Sequence, residues 1–291
     1  MISVCVVNWN QADLLIGCLR SIFENPPSEE PEVIVVDNGS SDGSVQRVRE
    51  LFPQVTLIEN CENLGFGAAN NQAIEASSGW AVLLLNNDTI VLPDALDAMV
   101  RVLRTDPSVA IVGCSQYADR ELTIRHRTAY RRFPSIPASF VHQLALFLKL
   151  QKRFPRSRLV NRLFMHYSYD DHDKTIDAAH INGACMMCRR EVLNEVGLFD
   201  TNLFLFLEDT DLCRRVRKKG FKIVYTPAGA IVHFGSQSLI ASGRGFKEFH
   251  YKSKCYYLEK HHGRLARLFY QIEFAVARRV LPRITNQEYG V

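Results

Sequence analysis

Residues 32–52 read EVIVVDNGSSDGSVQRVRELF. The unbroken apolar run at 33–36 is mostly β-branched and does not alternate, as expected of a strand covered on both faces. Asp37, Asn38, Gly39 and Ser40 are turn formers at its carboxyl end, and 42–52 reads as a helix beginning at that turn. The same phrase repeats on either side. ISVCVV at 2–7 is a buried strand, followed by helical spacing over 14–23. VTLIEN at 55–60 is a third strand, GAANNQAIEAS at 67–77 a helix, and WAVLLLNND at 80–88 a fourth strand. Strands alternating with helices imply parallel strands joined by crossover helices, an α/β class.

In such a sheet, ligands bind beyond the carboxyl ends of the strands. Here those ends read Asn8-Trp9-Asn10, Asp37-Asn38-Gly39-Ser40, Asn60 and Asn86-Asn87-Asp88. Strand ends are often polar, but four such ends in succession point to one shared polar crevice. The dinucleotide fingerprint G-x-G-x-x-G does not follow the first strand, and no G-x-x-x-x-G-K-[ST] phosphate loop occurs. A dehydrogenase and a P-loop enzyme are thereby disfavoured.

The bulk numbers fit a soluble globular chain: 47% hydrophobic, 23% charged, over 291 residues. A net charge of +4 argues against general nucleic-acid binding. Cys185 and Cys188 form a C-x-x-C without a second pair or histidines at ligand spacing, so the eight cysteines read as buried thiols of a reducing compartment. The start, MISVCVVNWN, lacks the pattern of a secretory signal, and no run is long enough to span a membrane, so a cytoplasmic location is expected. From 120 to 162 the chain is strongly basic, eleven Lys or Arg against the single acid Glu121. This falls in a segment of about 115–165 that breaks the alternation and reads as a partly helical insertion.

Three features carry chemistry. Asp88 ends an apolar strand, where a carboxylate can hold a divalent cation that in turn holds a diphosphate; it can equally be a turn or cap residue. In FLFLEDTDLCRRVRKKG (204–220), Glu208, Asp209 and Asp211 follow four apolar residues. Acids favour a helix N-terminus, which accounts for one or two of them. A carboxylate against apolar side chains is also expected to have its pKa raised, which suits a general base. Arg214 and Arg215 either restrain that shift or form a solvated basic face. His233 ends a strand-like run after the apparent turn TPAG (226–229) and could close a metal site begun by Asp88, or be structural.

VVNWN, VVDNGSSDGS, NLGFGAANN, LLLNNDT, NGACMMCRREVLNEVGLFD, FLEDTDLCRRVRKKGFK and IVHFGSQS occur in this order over 2–238. Together they resemble family 2 glycosyltransferases, closest in look to bacterial rhamnosyltransferase-like members that act on cell-surface glycans. The resemblance implies a GT-A fold: a mixed, mostly parallel central sheet flanked by helices in a domain over 1–240, with a basic, aromatic helical C-terminal extension over 241–291. It implies an inverting transfer from a dTDP- or UDP-linked sugar to a glycan or lipid-linked acceptor. It assigns Val7, Asn8 and Asp37 to the nucleobase pocket, and Asn63, Gly65 and Asn70 to the ribose and diphosphate. Asn86, Asn87 and Asp88 stand in place of a D-x-D metal motif, with Asn86 for its first acid. Asn182 and Gly183, which open the fifth motif, fall to substrate binding. Asp88 and His233 become ligands of Mg2+ or Mn2+, and Asp209 the catalytic base with Glu208 beside it. A nucleotidyltransferase, or a non-catalytic component of a glycan assembly complex, is the competing reading. Two amphipathic stretches, 140–154 and 264–281, are suited to peripheral contact with an anionic inner membrane face, or to packing on the domain or on a second subunit as a homodimer.

Overall fold

The computed structural model describes residues 1–126, 129–131, 133–134, 153–154, 172–235 and 246–280. Its elements follow in chain order: β1 (Ile2–Asn8), α1 (Ala12–Glu24), β2 (Pro31–Asp37), α2 (Ser44–Leu51), β3 (Thr56–Glu59), α3 (Phe66–Ala76), β4 (Ala81–Asn86), β5 (Thr89–Val91), α4 (Ala95–Thr105), β6 (Val109–Tyr117), β7 (Tyr130–Arg131), β8 (Ile176–Asp177), β9 (His180–Ile181), β10 (Cys185–Arg189), α5 (Arg190–Val196), α6 (Glu208–Lys218), β11 (Lys222–His233), α7 (Phe246–His262) and α8 (Arg264–Val280). Most of the basic segment, the stretch 140–152 and the end of the last motif, 236–238, lie outside the described residues.

The strand order is β3-β2-β1-β4-β10-β6-β11-β5, with β8 added against β11. The first four strands are parallel, as the alternation of strand and helix requires. Beyond them β10 runs antiparallel to both β4 and β6, β11 lies parallel to β6, and β5 lies antiparallel to β11. The sheet is therefore mixed.

Successive side chains on a strand point to opposite faces. Val4, Val6, Val33, Val35, Leu83 and Leu85 consequently face one core with Leu15, Leu19, Val48 and Met99 from α1, α2 and α4. Cys5, Ile34, Val36, Val82 and Leu84 face the other with Ala69, Ala73, Leu193, Leu212 and Val216 from α3, α5 and α6. Two covered faces explain why these strands carry no polar alternation. The C-x-x-C is split by the same rule: Cys185 lies in the first core and Cys188 in the second.

The stretch 226–229 is not a turn. β11 runs continuously for 12 residues, with a register shift between Thr226 and Ala230. Pro227 cannot donate to the ladder, and a bulge absorbs it without ending the strand. His233 thus closes a long internal strand.

α7 and α8 form a hairpin with a core of its own, Cys255, Tyr257, Leu258, Ala266 and Tyr270, against which Leu207 and Phe274 pack. Among the described residues no helix is long and apolar enough to cross a membrane. The hairpin is tied to α6 through Asp211. This fully buried carboxylate meets Arg215 Nε at 2.8 Å, Lys260 Nζ at 2.7 Å and His261 Nε2 at 2.7 Å. Arg215 also donates to the carbonyls of Val196, Gly197 and Leu198 at 2.6–2.7 Å. Arg214 donates to Tyr257 Oη at 3.0 Å. Both arginines therefore serve the packing of α6.

Burial alone would raise the Asp211 pKa. The bonds from His261, Lys260 and Arg215 outweigh it and hold the carboxyl below the ordinary carboxylate range. A folded-state pKa below the unfolded value means that the clamp stabilises the fold above the unfolded pKa and is lost as pH falls through the folded one. Asp211→Ala, which strands Arg215 and Lys260 without their shared carboxylate, is expected to cost about 3–5 kcal/mol. A urea midpoint lowered accordingly at pH 7, with the difference from wild type shrinking as pH falls below about 4, would bear this out. A loss under 1 kcal/mol would show that the hairpin is held elsewhere.

Candidate active site

Register sets the site. Asn8 pairs with Asp37, Asp37 with Glu59, and Val7 with Asn86, so the carboxyl ends of β1 to β4 lie side by side. Asn8 Nδ2 donates to Asp37 Oδ1 at 3.0 Å and to Ser40 Oγ at 3.2 Å. Asn87 Nδ2 donates to Asn8 Oδ1 at 2.7 Å, and Ser40 N to Asp37 Oδ2 at 2.8 Å. Asn8, Asp37 and Asn87 are all buried, so this cluster is a rigid polar floor with its bonds made internally.

A second knot forms around Asn38. Its Oδ1 accepts from Leu64 N and Asn60 Nδ2, both at 3.1 Å, and its Nδ2 donates to Asn63 Oδ1 at 3.0 Å and to the Gly65 carbonyl at 3.3 Å. Gly65 sits at φ +89°, where a Cβ would come within 2.5 Å of the Phe204 carbonyl. Only glycine fits there. The loop before α3 is thereby pressed onto the segment that leads into α6. Asn70 is buried in α3 and donates to the Phe66 carbonyl at 2.9 Å.

Asp88 and His233 do come together. His233 Nε2 lies 3.3 Å from Asp88 Oδ1, and Asn86 Nδ2 lies 3.5 Å from the same nitrogen. Pairing of His233 with Thr89 across β11 and β5 brings this about. Asp88 Oδ1 and Asn86 Oδ1 are buried without a hydrogen-bond partner. Buried acceptors left unsatisfied are costly and mark a place for a missing donor or cation. His126 lies behind His233, its Nε2 2.8 Å from the His233 carbonyl, with the rings 5.5 Å apart.

The carboxylates of α6 follow a strained entry: Phe206 and Leu207 have φ of 71° and 66°, uncommon for bulky residues. Such backbone persists only where its surroundings hold it, and it clusters at functional sites. Asp209 Oδ2 accepts from Gly183 N at 3.0 Å and lies 3.3 Å from His180 Nε2. Asp209 Oδ1 accepts from Thr210 N at 2.6 Å and from Thr210 Oγ1 at 3.1 Å. Glu208 is buried beside it, with Oε2 unpartnered.

The expected rise in pKa falls on Glu208, where burial and then the Asp209 charge push the carboxyl well up. For Asp209, burial also acts upward. The His180 imidazole and the bonds from Gly183 and Thr210 overcome it, and the net direction is down. The surroundings therefore push the two neighbouring carboxyls in opposite directions.

The turn 182–184 joins both clusters. Its Gly183 N–H holds Asp209, and its Ala184 carbonyl accepts from Asn86 N at 3.0 Å. Asn182 Oδ1 accepts from Ala184 N at 2.8 Å and closes the turn. A Cβ on Gly183 would stand 3.4 Å from both Asp209 Cβ and Phe66. Sequence reasoning did not single out His180, Thr210, His126 or Asn38 as site residues. The one signal for His180 is its place two residues before Asn182.

Comparison with known proteins gives the same architecture. The model of the family described as "Glycosyl transferase family 2" matches residues 3–197. The chain is 26% identical over 258 residues to an N-acetylglucosaminyl-diphospho-decaprenol L-rhamnosyltransferase of Mycobacterium tuberculosis, covering 85% of this chain and 79% of that protein. It is 22% identical over 234 residues to an uncharacterised glycosyltransferase of Bacillus subtilis, covering 80% and 73% respectively. Among solved structures it superimposes, at TM-score 0.56 and 19% identity, on a mannosyltransferase from Pyrobaculum calidifontis in complex with GDP-Man and Mn2+, covering 96% of this chain and 75% of that one. The chain belongs to glycosyl transferase family 2: it is an inverting glycosyltransferase of the GT-A fold that moves a sugar from a nucleotide-diphosphate donor to an acceptor.

Proposed function

We propose that the sugar is L-rhamnose carried on dTDP, that the acceptor is a hydroxyl of a lipid-linked or cell-surface glycan, and that Asp209 is the base. The observation that carries the roles is the turn 182–184, which links Asp209 on one side to the end of β4, and so to Asp88 and His233, on the other. The rhamnosyl donor and the lipid-linked acceptor are supported by the activity in the name of the mycobacterial relative.

The transfer assigns each group a task. The acceptor O–H gives its proton to the Asp209 carboxylate as its oxygen bonds to the anomeric carbon. The bond from that carbon to the donor phosphate breaks on the opposite side, and the nucleoside diphosphate leaves with the electron pair. Gly183 N and His180 Nε2 fix one Asp209 oxygen and Thr210 fixes the other, which holds the base in position before the acceptor arrives. A depressed pKa makes Asp209 a weaker base but keeps it ionised, and positioning makes up the difference. Glu208, whose pKa burial raises and whose Oε2 has no partner, would donate a hydrogen bond to substrate in its protonated form. Val7, Asn8 and Asp37 would frame the nucleobase, and Asn63, Gly65 and Asn70 would approach the ribose and diphosphate.

The residues present fit a divalent cation. Two buried oxygens without a hydrogen-bond partner, Asp88 Oδ1 and Asn86 Oδ1, stand with one imidazole nitrogen; the oxygens suit Mg2+ or Mn2+, and the borderline imidazole favours Mn2+ of the two. No group of three or more His, Cys, Asp or Glu gathers among the described residues, so the donor diphosphate would complete the shell. Bound there, the cation would neutralise charge on the leaving diphosphate.

Asp209→Asn is expected to lower transfer about 10²–10⁴-fold while leaving donor binding nearly unchanged; retained transfer would move the base elsewhere, with Glu208 first. His180→Asn removes the imidazole that lowers the Asp209 pKa, so the acidic limb of the kcat/KM profile should move to higher pH. An unmoved limb with reduced kcat would make His180 purely structural. EDTA should suppress turnover, and Asp88→Ala or His233→Ala should weaken Mn2+-dependent binding of dTDP in calorimetry. Full activity in metal-free buffer would remove the cation from the scheme.

A further inference from the structure

Among the described residues the outer face of α8 is left exposed. Leu265, Leu268, Phe269, Ile272 and Val276 are between 51% and 70% exposed. Their spacing puts all five in one stripe along the helix. The opposite side, Ala266, Tyr270 and Phe274, closes on α7 and builds the hairpin core. The stripe is thus left over after the helix has satisfied its own packing. Five large apolar side chains in one contiguous line are more than scattered surface exposure, and mark a contact surface.

Charge says what covers it. α8 carries Arg264, Arg267, Arg278 and Arg279 against the single acid Glu273. In the sequence two arginines come at the start of this helix and two close to its end. Arg264 and Arg267 share one carboxylate, Glu259, at 3.6 Å and 2.6 Å, which leaves that end positive. Pairing the stripe with a second copy would bring together two helices that each carry four arginines and one acid, whether they ran parallel or antiparallel. Like charges so placed repel. A sheet of anionic headgroups with acyl chains beneath it complements both features at once.

The hairpin is also fastened to the catalytic helix. Besides the Asp211 clamp, Ser253 Oγ donates to the Leu205 carbonyl at 2.8 Å, and Phe249 stacks on Phe204 at 4.8 Å. Segment 204–207 leads straight into Glu208 and Asp209. A surface held by α8 is therefore held in fixed relation to the base.

We infer that the apolar face of α8 seats on an anionic lipid bilayer and so presents the active site to a membrane-borne acceptor; the second half of this rests on the transfer to a lipid-linked acceptor proposed above.

The test is flotation of the full chain with vesicles of phosphatidylcholine alone, or mixed with phosphatidylglycerol, at low and high salt. Binding is expected to the mixed vesicles and to weaken with salt. Phe269→Glu, at an exposed position, should lower vesicle partitioning about tenfold to a hundredfold, the equivalent of removing one large apolar side chain from the contact. Circular dichroism and dTDP affinity should stay unchanged. No binding to the mixed vesicles at low salt, or equal binding to both kinds, would overturn the inference. So would a concentration-dependent dimer in ultracentrifugation that Phe269→Glu abolishes, since the stripe would then belong to a second copy. Transfer to a soluble acceptor without vesicles reads the proposed activity separately. Its loss with vesicle binding intact would fault that reading and leave the membrane contact standing.

Discussion

The parallel register of β1 with β2 and β4 is the constraint on which the site depends. Asn8 stands beside Asp37, and Val7 beside Asn86, because these three strands end at one level. A slip of one residue would exchange the faces of every side chain on a strand. Here that would carry Val4 and Val6 into the core now filled by Cys5, and would part Asn8 from both Asp37 and Asn87. The two apolar cores thus pin the register, and the register builds the polar floor. Fold stability and site geometry share a single cause.

The antiparallel strand β10 brings the rest of the chemistry to the same edge. Because it runs against β4, its beginning, not its end, lies at the carboxyl ends of the other strands. The turn that precedes it can then touch Asn86 with one backbone group and Asp209 with another. Gly183 packs closely between Asp209 and Phe66, which approach it from two directions. A parallel strand in this position would have presented that turn to the far edge.

Much of this was legible in the residues. Continuous apolar strands with polar ends gave the first four strands, their parallel sense and the level of Asn8, Asp37 and Asn86, because periodicity and turn chemistry are local properties. The meeting of Asp88 with His233 was also expected, although 145 positions separate them. What escaped were features set by packing between distant segments. The bulge at Pro227 looks like a turn until a neighbouring strand holds it in line. His180 carries no local mark; only the approach of α6 makes it a partner of Asp209. The three acids of α6 look equivalent in the sequence and are not. Asp211 binds the hairpin, Glu208 is buried without a cation, and Asp209 meets the His180 imidazole and two backbone N–H groups.

That division answers why an apolar stretch runs straight into negative charge. A buried carboxylate is costly unless it is compensated, and three together are costlier still. Each acid meets the cost in a different way. Asp211 takes Arg215, Lys260 and the His261 imidazole as partners and becomes a structural rivet. Glu208 has its pKa pushed up by desolvation and then by its neighbour's charge, which favours the uncharged form. Asp209 keeps its charge by means of donors that leave it at the active-site edge. The apolar residues before them are then not in conflict with the acids. Leu207 packs on the hairpin and Phe204 is fixed by the loop at Gly65 and by Phe249, so the strained segment between is clamped from both sides. The hydrophobic run supplies the rigidity with which Asp209, the base proposed above, would be aimed at an acceptor hydroxyl.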